Sequence, residues 1–155
     1  MSNFNYYYLI CSDGIKNNND YMIPAYEICV KRLKEKKWPI YTRTKHAKEI
    51  KSGDKLAFYL AGRKKLSQHF VSTGVVNRRE ESKDNLIDIE SNSGMISSFL
   101  TLQNIDFLLK PVPIKKIIDR LSFITFAGAY GLHFQGGCRK FNKSDYELIL
   151  KYSKQ

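Results

Sequence analysis

Two apolar runs joined by a short basic stretch constrain this chain more than any other feature. Lys55-Leu56-Ala57-Phe58-Tyr59-Leu60 and residues 69–76 flank Ala61-Gly62-Arg63-Lys64-Lys65, and Gly53-Asp54 marks a turn just before the first run. That spacing predicts a β-hairpin with a basic loop. The return strand centres on Phe70, Val71, Gly74 and Val75. A glycine inside it predicts a bulge or a close backbone approach. Tyr6-Tyr7-Tyr8-Leu9-Ile10-Cys11 is aromatic and apolar throughout, which predicts a central strand.

Helical periodicity appears where these runs stop. Pro24 suits the first turn of a helix running to about Lys37, with Tyr26, Cys29, Val30 and Leu33 on one apolar face. Pro39 bars Trp38 from continuing it, so Trp38-Pro39-Ile40-Tyr41 reads as a loop or short strand. Residues 44–50 and 114–121 read as short helices, 78–84 as a charged loop, and 86–89 as a short strand or rim segment. Residues 99–102 and 105–110 are further strand candidates, and 127–137 is Gly-rich. Asn142 or Ser144 caps a last helix whose apolar face holds Tyr146, Ile149 and Leu150. With 155 residues and no repeat or linker, the expectation is one domain over 1–155. The fold class is α+β, a small, mostly antiparallel β-barrel flanked by helices.

Charge is concentrated rather than spread. Residues 31–65 hold 13 lysines and arginines against 3 acidic residues, while the whole chain is +11. Aromatic side chains inside a cationic segment suit a polyanion that also presents flat rings, which is nucleic acid. Phosphates take the charges and a base takes the rings.

Several other chemistries find no support. Cys11, Cys29 and Cys138 have no zinc spacing, and their odd number argues against a disulfide framework, so buried free thiols are expected. His46, His69 and His133 have no metal spacing, no hydrolytic triad is visible, and the Gly136-Gly137 pair lacks the rest of a phosphate loop. Glu80-Glu81 reads as a solvated acidic pair. No cofactor or metal is expected. With no signal peptide and no run of about 20 apolar residues, the expectation is a cytoplasmic protein with no membrane partner.

Trp38 requires a weighing of its own. A single tryptophan is ordinarily a core residue. This one follows a Lys-rich helix end in a Pro-interrupted segment, with Tyr41 three positions on. Phe58 and Tyr59 alternate on their strand, so one ring faces the core and the other a pocket. A site for one base needs flat walls, a few polar groups and an electropositive rim.

Taken in order, the pieces resemble the EVE domain family of the PUA-like superfamily. They are Tyr8-Leu9-Ile10-Cys11, Trp38 ahead of a basic run, residues 50–59 through Gly53-Asp54 to Tyr59, and the return strand 70–76. Phe107-Leu108-Leu109-Lys110-Pro111, Leu121-Ser122-Phe123-Ile124, residues 131–136 and 145–149 complete the set. Many members continue Trp-Gly-Val where this chain has Trp38-Pro39-Ile40, and residues 78–102 match poorly. The family is similar to YTH domains, readers of N6-methyladenine.

The resemblance implies a barrel with a base-sized pocket at its mouth. It puts Trp38 and Tyr41 in the aromatic wall, and Ser12 and Asp13 in the turn after the first strand. Tyr59 and Ala61 close the signature strand, and His133 and Phe134 face the same mouth. Phosphate contacts fall to Arg43, Lys45, Arg63, Lys64, Lys65 and Arg139. The expected function is reading a modified base, such as a methylated or hydroxymethylated cytosine or a methylated adenine, in DNA or RNA without chemistry. The expected state is a monomer, with a nuclease or RNA-processing enzyme as partner.

Two alternatives stand beside it. One is a small ASCH-type hydrolase of modified nucleosides using Thr42, Thr44, Lys45 and Glu49, in which Lys45 and Glu49 would pair on a short helix. The other is an unspecific RNA-binding accessory module.

Overall fold

The computed structural model describes residues 3–15, 22–42, 44–87, 95–124, 127–134 and 137–154. Eight strands and three α-helices follow one another: β1 (Tyr6–Cys11), β2 (Gly14–Ile15), β3 (Met22–Ile23), α1 (Ala25–Glu35), β4 (Lys37–Tyr41), β5 (Lys55–Leu60), β6 (His69–Ile87), β7 (Met95–Pro113), α2 (Ile114–Ile117), β8 (Cys138–Phe141) and α3 (Lys143–Ser153). A 3-10 segment spans Ala127–Phe134. Arg43 and residues 16–21, 88–94, 125–126 and 135–136, some of which carry expectations stated above, lie outside the described residues.

Six strands form one sheet in the order β4-β7-β6-β5-β1-β8, curled into a half-barrel. β1 runs parallel to β5, pairing Tyr6 with Lys55 and Cys11 with Leu60, while every other pairing in the sheet is antiparallel. The sheet therefore separates two cores. Alternate residues Tyr7, Leu9, Leu56, Phe58 and Leu60 point inward with Trp38, Ile40, Val76 and the α1 residues Ile28, Cys29 and Leu33. Tyr8, Ile10, Ala57, Tyr59 and Phe70 point the other way, onto Ile114, Ile117, Phe134, Tyr146 and Ile149. This two-residue alternation is the ordinary geometry of a strand covered on both faces.

The predicted hairpin β5–β6 forms, and its glycine sits where expected: the β6–β7 register shifts between Thr73 and Val75, leaving Gly74 in the bulge. Gly62 turns the loop at φ +101, and a Cβ there would meet the Asp13 carboxylate at 2.5 Å. α1 stops at Glu35 because Lys36 adopts a left-handed conformation, φ 56. The Lys36 carbonyl then accepts from Leu102 N–H at 2.9 Å, which leads the chain into β4. Asn142 caps α3, its side chain accepting from Asp145 N–H at 2.8 Å. All three cysteines are buried, and none is in a disulfide. No helix among the described residues is long and apolar enough to cross a membrane.

Three local expectations fail. The charged segment 78–84 is strand, not loop, because its cross-strand partners hold it: Arg79 opposite Leu100, Glu80 opposite Phe99, Glu81 opposite Ser98. Arg78 pairs with Glu80 at 2.9 Å and the Thr101 hydroxyl bonds both backbone groups of Arg78. The candidates 99–102 and 105–110 are one strand, continued through a left-handed Asn104, φ 51. Residues 45–49 form turns rather than a helix, since His46 is left-handed at φ 59.

The Gly53-Asp54 signature has a structural role. Asp54 is wholly buried, and its carboxylate accepts from Asn5 N–H at 3.0 Å and Lys51 N–H at 2.9 Å, with the Lys51 ammonium at 3.2 Å. It ties the start of β1 to the start of β5. Asp54→Ala leaves two backbone donors unpaired and is expected to lower the unfolding free energy by about 1–3 kcal/mol, read from a urea titration. An unchanged midpoint would mean that the fold does not depend on this tie.

Candidate nucleic-acid interface

The segment after β4 builds a recess. Tyr41, Thr42, Thr44, His46, Ala47, Lys48 and Glu49 line one side, and Arg79, Glu81, Ser97 and Ser98 of β6 and β7 line the other, around about 570 Å³. The size suits one small ligand.

Tyr41 is fixed at both ends. Its hydroxyl accepts from Arg32 Nη2 at 2.9 Å, and its N–H donates to Thr44 Oγ1 at 3.1 Å. His46 Nδ1 and Glu49 Oε2 are 3.1 Å apart. Arg79 Nη2 donates to the Ile50 carbonyl at 3.0 Å, while its buried Nε has no partner among the described atoms. Lys48, Arg79 and His46 share the lining with the carboxylates Glu49 and Glu81 and the Tyr41 ring. This arrangement offers hydrogen-bond donors and acceptors to a polar ring edge and a flat surface to its face.

The residues expected to form a single aromatic pocket do not meet. Trp38 is 2% exposed and belongs to the inner core. Its ring lies 4.9 Å from Phe58, and the Arg32 guanidinium covers it at 4.9 Å. No face is left open for a base, because β4 pairs with β7 and carries the ring under the sheet. Arg32 thus touches both Trp38 and Tyr41, so the tryptophan supports the wall from behind.

Tyr59 and Phe134 stack on each other at 4.0 Å on the opposite face of the sheet, 1% and 6% exposed. Burial pushes the Tyr59 phenol pKa upward, reinforced by the neighbouring Tyr130 and Tyr8 hydroxyls. Neither Phe58 nor Tyr59 faces a pocket; each fills one of the two cores. His133 is on that far side too, its carbonyl accepting from the Tyr8 hydroxyl at 2.6 Å and its ring edge-on to Phe123. Ala61 packs against the same core, and its N–H donates to the Cys11 carbonyl at 2.8 Å.

The turn after β1 is structural as well. Asp13 accepts from Ala25 N–H at 2.8 Å and Arg63 N–H at 3.0 Å, joining the start of α1 to the basic turn, while Ser12 is exposed. Of the expected phosphate contacts, Lys45 is exposed beside the recess without lining it. Arg63, Lys64 and Lys65 are exposed on the β5–β6 turn, and Arg139 Nη2 bonds the Leu132 carbonyl at 3.0 Å. The recess residues that sequence reasoning missed are His46, Ala47 and Lys48 on the crossover and Arg79, Glu81, Ser97 and Ser98 on the strands. The available signal was period two: Arg79 and Glu81 fall on one face once 78–84 is read as a strand.

Among the described residues no three His, Cys, Asp or Glu side chains gather as a metal set.

No protein-family model matches the sequence, and no curated protein matches it. Solved structures do. Human THYN1 in complex with DNA containing 5-methylcytosine superposes with a TM-score of 0.63 at 8% identity, over 97% of this chain and 98% of that one. Rpa0253 from Rhodopseudomonas palustris gives 0.59 at 12% identity, over 97% and 93%. The N-terminal domain of Staphylothermus marinus McrB gives 0.50 at 14%, over 96% and 95%. At these identities the likeness is one of fold, and the fold is the α+β half-barrel with flanking helices that was expected.

The position of Trp38 is directly measurable. Its fluorescence is expected to be blue-shifted and weakly quenched by acrylamide, and Trp38→Ala to destabilise the fold by about 3–5 kcal/mol. Strong quenching together with an unchanged unfolding midpoint would return the ring to a pocket wall.

Proposed function

We propose that this chain is an EVE-type reader that binds nucleic acid and takes one modified base into the recess beside Tyr41. The observation that carries the reading is the recess itself: about 570 Å³, edged by a doubly anchored tyrosine and built from the most basic segment of the chain. The fold shared with a protein bound to 5-methylcytosine DNA supports it. In this reading Tyr41 stacks on the base, Arg79, His46 and the carboxylates of Glu49 and Glu81 meet its polar edge, and Arg43, Lys45 and Lys48 approach the flanking phosphates. The protein works as a cytoplasmic monomer beside a nuclease or RNA-processing enzyme.

A hydrolase reading has one observation in its favour: Thr42, Thr44, Lys48 and Glu49 line the same recess. Against it, Lys45 is not among the lining residues, and the ion pair of Glu49 is with His46 rather than Lys45. Turnover of an N-acylated cytidine that is lost in Thr44→Ala would establish it.

The test of the reader is fluorescence anisotropy. Single-stranded DNA and RNA oligonucleotides would carry one central 5-methylcytosine, 5-hydroxymethylcytosine, N6-methyladenine or unmodified base. Stacking on a base is worth about 1–3 kcal/mol. Tyr41→Ala is therefore expected to remove at least tenfold of the preference for the favoured modification, while unmodified binding and its salt dependence change less than twofold. Tyr41→Phe keeps the ring and is expected to keep most of the preference. Equal preference in wild type and Tyr41→Ala would overturn the assignment. Identical salt-sensitive curves for every oligonucleotide would leave an unspecific module in its place.

A further inference from the structure

The cations of the β5–β6 turn do not border the recess. Arg79 and Glu81 line it, whereas the turn ends at His69, ten residues earlier on β6. At about 3.3 Å per residue the strand path between them is roughly 30 Å long and curls with the sheet. Arg63, Lys64 and Lys65 therefore need an explanation other than the rim of that opening.

A second basic surface surrounds them. Ile114 N–H donates to the Gln68 carbonyl at 2.9 Å, and Pro113 pairs with His69, so the turn and the β7–α2 junction are joined. Lys115 and Lys116, exposed on α2, follow directly after this junction, and Arg63, Lys64 and Lys65 are exposed on the turn joined to it. The ion pairs among the described residues engage none of these five cations. Lys65 instead lies over the Tyr26 ring at 5.0 Å. Asp13, the carboxylate at this pole, is occupied by two backbone N–H groups, and Asp119 is exposed on the turn beyond α2.

Two exposed leucines flank the cations. Between the pairs Ser72–Phe107 and Phe70–Val112 the strand β7 bulges outward and presents Leu109, 83% exposed. Leu132 is 63% exposed on the 3-10 segment, which reaches the turn through the Tyr130–Gln68 hydrogen bond. Uncompensated like charges held this close gather counterions, and a phosphate polymer gains affinity by releasing them.

We infer that this pole is a second, separate contact for the phosphate backbone of the same nucleic acid whose base enters the recess. The inference rests on the reader assignment. The protein thus reads a base at one end of its β6–β7 ribbon and grips the backbone at the other.

The experiment is a length series. Duplexes of about 8 and about 24 base pairs, with one central 5-methylcytosine or none, are titrated with wild type and with a variant carrying R63A, K64A, K65A, K115A and K116A. All five are surface substitutions, and an unchanged thermal midpoint verifies the fold. Wild type is expected to bind the long duplex at least tenfold tighter than the short one. The variant is expected to match wild type on the short duplex, lose the gain from length, and show a salt slope on the long duplex lower by about 4. A wild type without length gain, or a variant equally weakened on both duplexes, would overturn the inference. Binding to phosphatidylserine vesicles through the same five cations, with no effect of duplex length, would overturn it in favour of a membrane surface. A length gain without any preference for 5-methylcytosine keeps the pole and counts against reading of that base. Preference without length gain does the reverse.

Discussion

The parallel pairing of β1 with β5 is the constraint on which the rest of the molecule depends. Parallel neighbours cannot be joined by a tight turn; the chain must first return to the end from which it started. Everything between Cys11 and Lys55 is that return path. It carries α1 down one face, adds β4 to the far edge of the sheet, and leads residues 42–50 back across the opening. The recess is lined in large part by this crossover. Asp54 holds the crossover's end to the start of β1 through buried hydrogen bonds, so the geometry of the opening is coupled to the stability of the central pair.

Both faces of that central pair are covered, and this decides what the aromatic residues can do. On a strand buried on both sides, adjacent rings serve different cores. Phe58 packs with Trp38 within the half-barrel, and Tyr59 stacks on Phe134 outside it. Nothing on these strands is left to line an open cage. The exposed chemistry is displaced to the ends: Tyr41, where β4 leaves the sheet, and the basic turn where β5 passes to β6. Arg32 connects interior to opening, its guanidinium over the buried Trp38 and bonded to the Tyr41 hydroxyl. A cation in that position keeps the tyrosine in place while the tryptophan stays dry.

Much of the fold was legible in the residues alone. Continuous apolar runs announced β1, β5 and the first half of β6, and Pro24, Pro39 and Asn142 marked helix ends through local backbone chemistry. These signals act within a few residues, so no tertiary information is needed to read them. The same is true of the basic segment, whose 13 cations in 35 residues point to a polyanion whatever the fold. Charge counting points to the same crossover segment that lines the recess and tells nothing of its depth or partners.

Tertiary structure decided the rest, and the reason is pairing. Arg78 to Glu81 have the composition of a loop, and only the strand opposite them makes them extended. Trp38 has the sequence surroundings of an exposed wall, and only β7 beside β4 draws it into the core. Arg63, Lys64 and Lys65 stand near Lys45 and Lys48 in the chain, yet the return of β6 carries Arg79 and Glu81, not the turn, to the recess. The sequence by itself determined β1, β5, the start of β6, the two long helices and which stretch is cationic, because those signals are local. Which ring is covered, which carboxylate faces an opening and which cations share a surface depended on contacts between residues far apart in the chain, and these exist only once the sheet has closed.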